Sequence, residues 1–168
     1  TDDGYRPTYD IVYPILKRYS FTATFFIYTS FIGASRNALT WDQLKAMKAD
    51  GFEVGSHSVN HVDLSKKMEG ESEKEYLARA KRELLLSKQI LDEKLNQNTR
   101  YIAFPYGEFN PALLRLCEEI GYRVGFSVKA GGNPFFNDPL ALKRDQILKK
   151  DMESFSLKLK TVQTIPLR

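Results

Sequence analysis

Short runs rich in β-branched and aromatic residues alternate with longer runs of helical periodicity along the whole chain. Five segments read as strands bounded by turn residues: 22–28 (TATFFIY), 52–56 (FEVGS), 101–105 (YIAFP), 123–128 (RVGFSV) and 142–148 (LKRDQIL). Four segments read as helices. The first, from Pro7 to Tyr19, gathers Ile11, Val12, Ile15 and Leu16 on one face. The second opens at Thr40 with Gln43 three residues on, the pattern of a capping box, and stops at Gly51. The third, over 72–96, repeats Leu77, Leu84 and Leu91 among charged residues. The fourth starts at Asn110, carries Pro111 in its first turn and ends at Gly121.

Regular strand–helix alternation predicts an α/β fold: a mostly parallel sheet covered by helices, either open or closed into a barrel. In both forms reactive groups collect at the carboxyl ends of the strands. No internal repeat, low-complexity tract or Pro/Gly-rich linker divides the chain, so residues 1–168 read as a single domain. The stretch AGGNPFFNDP (130–139) reads as a loop before the last strand.

Composition narrows the function classes. With 42% hydrophobic and 27% charged residues in 168, the chain can bury a sizeable core and is not disordered. The net charge of +4 comes from basic residues spread among acids, the mark of solvated helix faces. Nucleic acid is therefore not the expected partner. No apolar run approaches the roughly 20 residues of a membrane span. The single Cys117 falls beside Leu113, Leu116 and Ile120 on the apolar side of a helix, where it is expected to be buried and unreactive.

Three polar clusters follow three strand positions: DDGY opens the chain, HSVNH (57–61) follows FEVGS, and PYG (105–107) closes YIAFP. Each alone has an ordinary explanation. Asp-Asp-Gly and Pro-Tyr-Gly are common turn sequences, and two histidines near a strand end can be polar residues without a ligand. Placed together on one rim they form a site. Asp2 and Asp3 diverge as neighbours on a strand, so one can bind a cation while the other takes protons. Two imidazoles and one carboxylate, with positions left for water, suit zinc or another divalent transition metal.

These motifs resemble those of the polysaccharide deacetylases of carbohydrate esterase family 4 (the NodB-homology domain): Thr-Phe-Asp-Asp-Gly, His-Ser/Thr-x-x-His and Arg-x-Pro-Tyr/Phe-Gly. Here they read TDDGY (1–5), HSVNH (57–61) and AFPYG (103–107). The resemblance implies a distorted (β/α) barrel with fewer than eight strands. It also implies one divalent ion (zinc, cobalt, nickel or iron) on Asp3, His57 and His61. Asp2 is then the general base on a metal-bound water, and the Tyr106 backbone N–H the oxyanion donor. Ser58 is expected to brace the turn between the histidines. Tyr5, Pro105, Tyr106 and Gly107 are expected to contact substrate, with Phe109, Phe135 and Phe136 as further aromatics able to stack on sugar rings, Phe135 and Phe136 being equally able to join the core.

The chain departs from the family pattern in three places. The strand before Asp2 is absent from the sequence, which therefore reads as a fragment of a longer polypeptide. Ala103 replaces the arginine that orients the base, and Arg144 is the candidate to supply that guanidinium. No third histidine is present to protonate the leaving amine. The form of the third motif, followed by Asn110, resembles the branch acting on poly-N-acetylglucosamine. The expected activity is hydrolysis of N-acetyl groups from such polysaccharides outside the cell, at the cell surface or in the periplasm. A weakened carbohydrate-binding relative and a small-molecule amidohydrolase are the alternatives.

Overall fold

Among the described residues, five strands form one sheet in which every neighbouring pair is parallel: β1 (Asp2–Asp3), β2 (Thr24–Ile27), β3 (Glu53–Ser56), β4 (Tyr101–Ala103) and β5 (Val124–Phe126). Their spatial order is that of the sequence. The structure, a computed structural model, describes residues 1–147 and 151–161. Parallel crossovers are almost always right-handed, so connections that all step in one direction put every helix on the same face of the sheet. The architecture is a curled wall with helices outside it, a half-barrel rather than a doubly wound sheet.

The curl can be measured inside the wall. β2 and β5 are three strand spacings apart, about 14 Å in a flat sheet. Yet the rings of Phe26 and Phe126 meet at a centroid distance of 5.4 Å. Gly55, opposite Phe26 in register, leaves the space: a Cβ there would lie 2.6 Å from the Phe26 ring. Alternate residues Phe25, Ile27 and Val54 point the other way, into the helix layer, and are buried.

Local signals account for the helices. α1 (Tyr13–Arg18) is preceded by a wide π turn at Thr8–Val12. Pro14 has no N–H to give Asp10 and its ring crowds that carbonyl, so the chain widens and the Tyr13 N–H reaches Thr8 O instead. α2 (Trp41–Ala49) has the expected capping box, with Thr40 and Gln43 exchanging hydrogen bonds. α3 (Glu73–Leu95) has a second one, from Ser72 and Glu75. α4 (Pro111–Ile120) starts where the Asn110 side chain accepts the Leu113 N–H and ends at Gly121. α3 joins two core clusters: Leu84 packs with Ile102, Phe104, Leu113 and Tyr122, and Leu91 with Phe25, Leu44 and Met47. Cys117 is fully buried in the first, and burial pushes its thiol pKa up to about 12. Among the described residues no helix is long and apolar enough to cross a membrane.

Three expectations need correction. Asp2 and Asp3, placed by the sequence just beyond an absent strand, themselves form the short edge strand β1. The strand expected at 142–148 is reduced to one bridge, Phe126 with Leu142. Leu142 and Arg144 keep backbone bonds to Gly125, Ser127 and Lys129, but residues 143–147 are irregular, and Leu148 lies outside the described residues. A further helix, α5 (Met152–Thr161), was not expected; the Asp151 side chain accepts the Ser154 N–H at its start.

Candidate metal centre and active site

Asp2 pairs with Phe26 and Asp3 with Ile27, so regular alternation would send the Asp3 side chain to the helix layer beside Ile27. A left-handed backbone at Asp3 (φ 81°) turns it to the rim instead. Its Oδ1 there lies 3.5 Å from His57 Nε2 and 3.3 Å from His61 Nε2. Among the described residues, four of the six non-glycine residues with positive φ are at this rim: Asp3, Ser58, His61 and Tyr106. Such conformations persist only where surrounding contacts impose them.

The three ligand-type atoms fit a divalent cation. Asp3 Oδ1 is buried and has no hydrogen-bond partner among the described residues, although it faces two ring nitrogens. Separations of 3.3 and 3.5 Å match the edge of a tetrahedron with bonds of about 2.1 Å, or roughly 3.4 Å. His57 Nδ1 lies 2.7 Å from Ala103 O. A carbonyl can only accept, so Nδ1 carries the proton and Nε2 presents a lone pair toward Asp3. Burial lowers the His57 pKa, which favours that neutral form.

Asp2 is separate from this trio. Both its carboxylate oxygens accept from Arg144, Oδ1 from Nη1 at 3.0 Å and Oδ2 from Nη2 at 2.8 Å. The Arg144 Nε donates to Ser127 O, and the guanidinium lies over the rings of Phe26 and Phe126. A planar cation thus stacks on the aromatic floor of the half-barrel and points at the edge strand. Burial would raise the Asp2 pKa, but the Arg144 pair outweighs it and holds the carboxyl below its ordinary value. The guanidinium expected at position 103 therefore arrives from position 144, across the seam between the two edges of the wall.

The third motif turns tightly beside His61. Gly107 N–H bonds Phe104 O and Glu108 N–H bonds Pro105 O, while the Tyr106 N–H takes no part in closing the turn. The Tyr106 ring meets His61 edge-on at 4.8 Å and is 60% exposed. Gly107 is required: at φ 72° a Cβ would lie 2.5 Å from the Val128 backbone nitrogen.

Asp2, Asp3, His57, His61, Tyr106 and Gly107 border one cleft of about 190 Å³, together with Phe104, Val128 and Gln146. A wider hollow of about 500 Å³ continues from it along the seam, past Arg144 and Asp145. Pro105 is buried and shapes the turn without lining the cleft. Tyr5 stands outside the cleft, half-exposed, in an aromatic row that runs through Phe31 and Tyr28 to His61. Phe135 and Phe136 are fully exposed, not core, and Phe109 packs against Phe104. Ser58 is fully buried and its Oγ accepts the His61 N–H.

Sequence reasoning missed Val128 and Gln146 in the lining, and Glu83 behind the histidine loop. Glu83 accepts the N–H groups of Val59 and Asn60, both at 3.0 Å. Glu83 lies in the buried stripe of α3 with Tyr76, Ala80, Leu84 and Ser87, which the sequence repeat of Leu77, Leu84 and Leu91 did not reveal.

Known proteins resemble this chain in sequence and in fold. A family model described as polysaccharide deacetylase matches residues 1–125. The chain is 32% identical over 130 residues to the Bacillus subtilis protein YxkH, itself named as a candidate polysaccharide deacetylase; the match covers 77% of this chain and 43% of YxkH. It is 30% identical over 133 residues to the poly-β-1,6-N-acetyl-D-glucosamine N-deacetylase of Staphylococcus aureus, covering 76% of this chain and 46% of that protein. The deacetylase PplD of Streptococcus pyogenes, solved in complex with acetate, superposes with a TM-score of 0.79 at 34% identity. That superposition covers 87% of this chain and 62% of PplD. The chain thus spans a little under half the length of these curated relatives.

Proposed function

The chain belongs to the polysaccharide deacetylase family, and from that premise we propose that it hydrolyses N-acetyl groups on N-acetylglucosamine-containing polysaccharide. Asp3, His57 and His61 would hold one divalent ion, zinc by preference, with cobalt, nickel and iron also suited to the donor set. The observation that carries this reading is the orphaned Asp3 Oδ1 facing two imidazole nitrogens beside a separately held carboxylate. The relative named for poly-β-1,6-N-acetyl-D-glucosamine supports the substrate, and the acetate complex of PplD supports the acyl group removed. Such polymers lie outside the cell, which favours an extracellular, surface or periplasmic location.

An ion in such a site supplies Lewis-acid polarisation of a carbonyl and makes water more acidic. The residues of the chain do the rest. Asp2, kept ionised and oriented by Arg144, takes a proton from the attacking water. The Tyr106 N–H, not used by its own turn, donates to the carbonyl oxygen as charge develops there. This sequence holds no third histidine to serve the leaving amine. Asp2, having accepted a proton from water, is the group placed to pass it to the departing nitrogen.

Arg144→Ala should lower the rate roughly 10–100-fold at unchanged metal content, because the base loses its orienting partner while the ion ligands are untouched. Arg144→Lys should recover only part of this, since an ammonium cannot hold both oxygens in a planar fork. Rate and metal content measured on the same samples check both, and an unchanged Arg144→Ala rate would refute the role.

The reading is tested by acetate release from oligomers of N-acetylglucosamine, compared with small acetylated amines. Release from the oligomers is expected. Binding of oligomers without release would favour the carbohydrate-binding alternative, which is motivated by the lack of a third histidine in this sequence. Release from small amides alone would favour the amidohydrolase.

A further inference from the structure

We infer that Glu83 is a positioning residue of the proposed ion site: its buried carboxylate fixes the loop carrying His57 and His61 and so sets the site's affinity for a divalent cation. The inference rests on the reading of Asp3, His57 and His61 as ion ligands.

The loop between the histidines belongs to no helix or strand, and two of its residues, Ser58 and His61, have positive φ. Its shape must be imposed by hydrogen bonds. The N–H groups are all engaged: Ser58 to Ser56 Oγ, His61 to Ser58 Oγ, and both Val59 and Asn60 to Glu83 Oε2. The second oxygen of Glu83 accepts from Asn60 Nδ2 at 2.6 Å. On the other side, Ser58 O and Val59 O accept from Thr29 and Ser30. Glu83 is the α3 residue that bonds the loop directly, whereas Ser87 of the same helix reaches it only through Ser56 Oγ, and Glu83 holds the midpoint of the span between the two ligands.

Glu83 is only 7% exposed. Burying a carboxylate is unfavourable unless donors replace its water, and here three N–H groups do so. Both oxygens bond the loop, and the Arg79 guanidinium one helical turn away is a nearby opposite charge. Substitution therefore frees two adjacent backbone N–H groups and the Asn60 amide together, and the relative placement of the two imidazoles is no longer enforced.

The test is titration of the metal-free chain with cobalt(II), read by its visible absorption, alongside thermal unfolding. Glu83→Ala should raise the dissociation constant roughly 10–100-fold, the range typical of groups that orient metal ligands. Glu83→Gln should fall between Ala and the parent: its one oxygen can still accept a backbone N–H, but its NH₂ opposes the Asn60 amide. Leu91→Val, on the same helix and buried against α2 and β2 instead, should lower the melting temperature without moving the constant. Should Glu83→Ala fail to fold, Glu83→Gln decides. A folded Glu83 variant with the parent's affinity overturns the inference, as does equal weakening by Leu91→Val. A parent chain that binds no cobalt(II) overturns the ion-site reading as well, so the two failures are distinguishable.

Discussion

Asp2→Asn is expected to keep its metal ion and to lose acetate release by roughly 10²–10⁴-fold, the range for removal of a general acid–base group. The substitution is nearly isosteric and leaves Asp3, His57 and His61 in place. One oxygen remains to accept from Arg144, but the new amide faces a guanidinium N–H and cannot accept from it. The side chain can no longer take a proton. Metal content and initial rate measured together settle the point: a rate close to the parent's at full metal content would remove Asp2 from the chemistry.

The second large effect is expected at Asp3. Asp3→Asn should fold with a melting temperature near the parent's, bind well under one ion per chain and release acetate no faster than solution without protein. Asparagine is the right probe because position 3 has φ 81°, and asparagine tolerates left-handed backbone at least as well as aspartate. Alanine would add a backbone cost of about 1–2 kcal/mol there and confuse folding with ligation. The neutral amide is a much weaker ligand than a carboxylate, so the two imidazoles would be left without a charged partner. Retention of one ion per chain by a folded Asp3→Asn variant would show that the ion, if bound, sits elsewhere.

What could be read from the sequence was local. The capping box at Thr40, the cap at Asn110 and the stop at Gly121 each depend on residues within three or four positions, and each formed as expected. The alternation of strands and helices was enough for a parallel sheet covered by helices, though it left open sheet and barrel both standing, and the family resemblance pointed to the barrel. The clusters DDG, HSVNH and PYG were legible because each ends a strand, and the structure gathers them at one cleft.

What could not be read depended on distant partners. Arg144 reaches Asp2 across 142 residues of sequence, and only the Ala103 replacement hinted that a guanidinium was missing. The same inward turn of Arg144 lies in the irregular stretch where a regular strand was expected. Glu83 looked like one more charge on a long polar helix until the buried stripe of α3 was known. The π turn before α1 follows from Pro14 together with the packing of Tyr9, Val12 and Tyr13, which periodicity alone does not show.

The central claim is that a divalent ion in the Asp3–His57–His61 site enables N-acetyl hydrolysis. Acetate release from N-acetylglucosamine oligomers, followed on the zinc-loaded chain, after chelation and after zinc is returned, tests it most directly. The account predicts release, loss and recovery in that order. Release that continues undiminished in the metal-free chain would contradict it.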